Sequence, residues 1–179
     1  MKTAFFVFLI IAVVSISLYW YRQSPHPAST LQPTSQPQVL GQRRKTSNCT
    51  SINHLPDKDC TPGDIIPTAT REQICTPGYS KSVRNVPAEI KRQAYDEYGI
   101  TSHKPGEYEV DHLISLELGG SNSIANLWPE AAEPRPGFHE KDQVENYLHD
   151  QVCNGNISLS DVQRKIATDW LSVYSNIPH

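Results

Sequence analysis

The feature that most limits the folds open to this chain is the stretch Tyr108-Glu109-Val110-Asp111-His112-Leu113-Ile114, followed by Gly119-Gly120 and Asn126-Leu127-Trp128. On a strand, side chains alternate between faces, so Tyr108, Val110 and His112 share one side and Glu109, Asp111 and Leu113 the other. Leu116 and Leu118 are expected to continue the extended run, Gly119-Gly120 to turn the chain, and the segment from Ser121 to Trp128 to return. Pro129 is expected to close the return, because it cannot continue a ladder. An irregular loop is expected from Glu130 to Gly137, which holds Pro134 and Pro136. An acidic residue directly before a histidine at a strand end sets a hard oxygen ligand beside a proton acceptor. Hydrolysis of a phosphodiester needs a base for water and positive charge near the leaving oxygen. His112 is the natural base, since imidazole titrates near neutrality. Asp111 is the natural ligand for Mg²⁺ or a similar cation.

Helices flank this hairpin. Asn85 can cap one, with Pro87 in its first turn, Gly99 at its end, and Ile90, Ala94, Tyr95 and Tyr98 as its apolar stripe. A second runs from about His139 to Cys153, with Val144, Tyr147, Leu148 and Val152 facing inward and Asn154-Gly155 stopping it. A third begins at Ser158, where Asp161 makes an approximate capping box, and Val162, Ile166, Trp170 and Val173 form its stripe. The pattern is α+β.

Four cysteines, Cys49, Cys60, Cys75 and Cys153, stand without any C-x-x-C pair. That disfavours zinc and favours two disulfides. Three pairings are open, and Cys49–Cys60 with Cys75–Cys153 is the favoured one: a local loop and a long-range staple. Ahead of them, residues Ala4 to Tyr21 carry no formal charge and are mostly apolar. The segment 1–22 reads as a cleaved signal, with Ser15 and Ser17 as small residues before the cut, or as a membrane anchor with Tyr19, Trp20 and Tyr21 at the interface. Either places the chain outside the cytoplasm: secreted, periplasmic, or held on the outer face of the cytoplasmic membrane. Residues 23–47 are rich in Pro, Ser, Thr and Gln and read as a disordered tether, with Arg43-Arg44-Lys45 as a solvated run. The folded domain is then 48–179.

Charge bears on function. The net charge is −3, but five of the 16 Lys and Arg precede Thr46 while all 19 Asp and Glu follow it, so the remainder carries a balance of −8. That is a poor footprint for a tight, sequence-specific reader of DNA. Lys81, Arg84, Lys91 and Arg92 are the densest basic group in the folded part, and Arg84 is the candidate phosphate contact. Protease, esterase and nucleotide-binding signatures are absent: there is no H-E-x-x-H, no G-x-S-x-G and no G-x-x-x-x-G-K.

Asp111-His112, Gly119-Gly120, Asn126 and His139-x-Lys141 together resemble the HNH nuclease motif of the ββα-metal fold. The wider string from Ile74-Cys75-Thr76-Pro77-Gly78-Tyr79 to Ala167-Thr168-Asp169-Trp170 is similar to a group of small exported bacterial proteins with an HNH-like domain. The resemblance implies a ββα core with flanking helices and a metal-dependent endonuclease without sequence specificity, using Mg²⁺ or Mn²⁺ rather than Zn²⁺. It implies Asp111 and His139 as metal ligands, His112 as the activator of water, and Asn126 as the residue that holds the loop bearing His112. Glu133, Glu145 and Asn146 are the alternatives to His139. Lys141, with Arg84, is the expected nucleic-acid contact, and DNA is favoured over RNA. The competing reading is a catalytically silent binding domain of the cell envelope that keeps this fold.

Overall fold

A computed structural model describes residues 39–178. The hydrophobic segment and most of the Pro-rich stretch lie outside the described residues, and with them the export signal or anchor. Among the described residues no helix is long and apolar enough to cross a membrane.

Two strands form the sheet. β1 (Tyr108–His112) pairs antiparallel with β2 (Leu127–Ala131), in a register that sets Asp111 opposite Trp128 and Glu109 opposite Glu130. Pro129 lies inside β2, opposite Val110, which corrects the expectation that it ends the strand. A two-stranded sheet gives each strand an outward edge, and a proline is tolerated where its missing N–H faces that edge. The irregular loop therefore begins after Ala131 and not at Glu130.

The connection between the strands also differs from the expected extended run. Leu116–Leu118 is a 3-10 turn, and Ile124–Asn126 a second one capped by Ser123. Leu116 and Leu118 are both buried, so two inward leucines two residues apart imitate a strand. Gly119 takes a left-handed φ of 76°. At Gly120 the constraint is space: a Cβ there would sit 1.8 Å from the Ile114 carbonyl oxygen.

Short helices α1 (Arg71–Ile74) and α2 (Tyr79–Val83) precede α3 (Ala88–Glu97). The long pair α4 (Phe138–Cys153) and α5 (Leu159–Tyr174) follows β2. At the start of α5 the Ser158 side chain accepts from the Asp161 N–H, the capping arrangement read from the sequence. Leu113, Ile114, Leu118 and Trp128 meet Val144, Leu148, Val152, Ile166 and Trp170 in one core. The β1–loop–β2 unit is thereby laid against α4, which brings the strand end at Asp111-His112 to one helix face.

The disulfides are Cys49–Cys60 and Cys75–Cys153, the favoured pairing. They indicate an oxidising, non-cytoplasmic environment. The basic triplet is not a solvated run. Arg43 pairs with Glu97 and donates to the Cys60 carbonyl at 2.7 Å, Arg44 pairs with Asp59 at 2.5 Å and Lys45 with Asp57 at 2.8 Å. Acidic partners distant in sequence dock these three residues on the domain, so the tether stops short of residue 47.

Candidate functional site

His112 ends β1 and is buried, with 2% of its surface exposed. Its ring is fixed from one side. Nε2 lies 3.2 Å from Asn122 Oδ1. The Asn122 amide is itself oriented: Nδ2 donates to the Val83 carbonyl at 2.8 Å, and Oδ1 accepts from the Asn85 N–H at 3.1 Å. An oxygen so placed can only accept from the ring, so Nε2 carries the proton and Nδ1 holds the lone pair. No residue hydrogen-bonds Nδ1 among the described residues. The buried polar atoms that lack a partner are on Ser115, Trp128, Glu130 and Trp170. Burial pushes the imidazolium down to about 4; Asp111 and Asn122 oppose the shift, while the charges of Arg84 and Lys141 add to it. The ring is neutral at pH 7, the state a base requires.

Behind it lies a buried ionic network. The Lys141 ammonium is wholly buried and donates to Asp111 Oδ2 at 2.5 Å, to the His112 carbonyl at 2.8 Å and to Glu145 Oε1. Glu130 Oε2 is 4.0 Å away. Burial tends to raise the Asp111 carboxyl, but the charge and hydrogen bond of Lys141 outweigh it and hold Asp111 below the ordinary carboxylate range. Burial raises Glu130 well above its ordinary range, and Glu145 to about 8. Neither Glu130 oxygen receives a hydrogen bond. The nearby negative charge of Asp111 adds to the upward push of burial on Glu130, while Lys141 opposes it.

Asn126 has no exposed surface and spends its whole side chain on backbone. Oδ1 accepts from the N–H of Ile114 at 2.9 Å and of Asp64 at 3.3 Å. Nδ2 donates to the carbonyls of Ile114 and Ser121, both at 2.9 Å. It pins both ends of the loop behind His112, the supporting position expected of it. Arg84 is exposed, follows α2, lies within electrostatic reach of His112 and has no ion-pair partner among the described residues.

Two placements depart from expectation. Lys141 cannot be a nucleic-acid contact, because its ammonium is buried and bonded on every side. His139 is exposed at the start of α4, with its ring against Phe138 at 4.3 Å, and does not join Asp111 and His112 in a ligand-sized cluster. A divalent cation held by Asp111 and His139 therefore does not fit the side chains as arranged. Among the described residues, the cluster with metal-ligand spacing is Cys75, His149 and Cys153, within 4.8 Å of one another. It could hold a metal ion only with its thiols reduced, since those two cysteines form a disulfide.

Three residues of the site escaped the sequence reading: Asn122, Glu130 and Glu145 in their present roles. Glu145 follows Lys141 by four positions on the helix, a pairing signal that was available. Asn122 carries no such signal, since its partners lie 10 to 39 residues away. No protein family, no curated protein and no solved structure matches this chain.

Proposed function

We propose that this exported domain hydrolyses nucleic acid phosphodiester bonds, DNA in the first place, without sequence specificity and with His112 as general base. The observation that carries the reading is the neutral imidazole of His112, fixed at Nε2 by Asn122 and close enough to the ion-pair-free Arg84 for its charge to act on the ring. Arg84 meets a phosphate oxygen. Nδ1 takes the proton of the attacking water as its oxygen bonds phosphorus, the bond to the leaving alkoxide breaks, the alkoxide takes a proton from solvent, and the imidazolium then gives its own to solvent. A base pushed down to about 4 is weak, but an arriving phosphate anion favours the imidazolium and raises it. Asn126 and Asn122 act by position, one on the loop and one on the ring. No step is routed through Mg²⁺ or Mn²⁺, because the residues do not form a cradle for one.

A silent binding domain is the second reading. It is supported by the commitment of Asp111 to Lys141 and by the small exposure of His112. One experiment separates the two. The purified full chain, with both disulfides formed, is incubated with supercoiled plasmid and with RNA, in Mg²⁺, in Mn²⁺ and in chelator, beside His112→Ala. Cleavage that falls by about 10²-fold or more in the variant establishes the hydrolase and its base. Intact plasmid and RNA in every arm, with folded protein, would establish the binding domain.

A further inference from the structure

We infer that the Lys141 ammonium is the resident cation of this site, standing where a divalent metal would otherwise be held by Asp111. An ammonium has three N–H donors. Here three acceptors receive them: Asp111 Oδ2 at 2.5 Å, the His112 carbonyl at 2.8 Å and Glu145 Oε1, with Glu130 at 4.0 Å as a further carboxyl. Two or three carboxyl groups and a peptide carbonyl are the donor set that suits Mg²⁺ or Mn²⁺. In this chain a side chain from α4 already takes up those oxygens. Lys141 has no exposed surface, Asp111 and Glu145 little, and Glu130 almost none, so the cation is enclosed by its acceptors.

The arrangement has a consequence for His112. Lys141 grips its main-chain carbonyl while Asn122 grips its ring. The strand end is thus set from both sides by groups the chain itself supplies. Lys141 is a positioning residue, not a catalytic one, because its ammonium is closed off from any substrate. The inference concerns the same site as the proposed hydrolysis but does not depend on it, since it is read by metal binding in the absence of substrate.

The test is Mn²⁺ binding, followed by electron paramagnetic resonance on the chelator-treated, oxidised full chain. Wild type, Asp111→Asn, Lys141→Ala and Lys141→Ala/Asp111→Asn are compared, with folding checked by circular dichroism. Wild type and Asp111→Asn should bind Mn²⁺ equally weakly. Lys141→Ala should gain a site about tenfold or more tighter, with Mn²⁺ held by the released carboxylates, and the double variant should lose it. Tight Mn²⁺ binding in wild type that disappears in Asp111→Asn would overturn the inference, as would a folded Lys141→Ala that gains no site. If Lys141→Ala does not fold, wild type against Asp111→Asn still decides. Metal-dependent cleavage in the plasmid assay would overturn the inference while leaving the hydrolase standing.

Discussion

His112 is held by its ring and by its carbonyl, and each grip makes a separate prediction. Asn122 fixes the Nε2–H tautomer. In Asn122→Ala the ¹⁵N shifts of His112 should change from a single tautomer to a mixture, and kcat should fall by about 10²-fold while the fold persists. Unchanged tautomer and rate would show that Asn122 does not set the ring. The titration of His112 makes a second prediction. A histidine whose folded value is depressed resists protonation when folded, so its stabilising effect is complete above the unfolded value near 6.5. The effect is lost as pH falls through that value toward the folded one of about 4. Compared with His112→Asn, wild type should therefore lose roughly 3 kcal/mol of stability across this window. Denaturant midpoints of the two proteins at pH 7 and pH 4 check it, and equal losses would contradict it.

At the scale of elements, the loop between β1 and β2 shows what the sequence reveals and what it hides. Alternation at Tyr108 to His112 and the caps and stripes of the long helices rest on neighbours in sequence, so they were legible. The two 3-10 turns were not, because Leu116 and Leu118 have the spacing of a strand. The site divides in the same way. Asp111, His112 and Asn126 could be found from their order along the chain. The occupation of Asp111 by Lys141 depends on how α4 packs on β1, which no local spacing encodes. The loop itself is over-determined. Gly120→Ala places a methyl group on the Ile114 carbonyl and should cost at least about 1–3 kcal/mol. Gly106→Ala, where nothing lies within 4 Å but φ is +80°, should cost about 1 kcal/mol from backbone strain alone. Thermal melts of the two variants order them, and a reversed order would contradict the packing at Gly120.

For the whole molecule, the two disulfides close loops of very different length. Cys75–Cys153 spans 78 positions and ties α1 to the end of α4, whereas Cys49–Cys60 spans 11. Chain entropy gives the long closure about 4.5 kcal/mol and the short one about 3 kcal/mol. Replacing Cys75 and Cys153 together by Ser should therefore destabilise the domain more than replacing Cys49 and Cys60. The Cys75–Cys153 staple also fixes the far end of the helix that carries Lys141.

A pH–rate profile shows whether a neutral His112 abstracts the proton from water. On a chromogenic phosphodiester, kcat/KM of the oxidised chain should rise from acid with a midpoint near 4 and level off by neutral pH, since kcat/KM reports the free enzyme. His112→Ala should lose that limb and at least about 10²-fold of the rate. Hydrolysis that keeps both its rate and its acid limb in the variant, or no hydrolysis at any pH by folded wild type, would show that His112 does not act as that base.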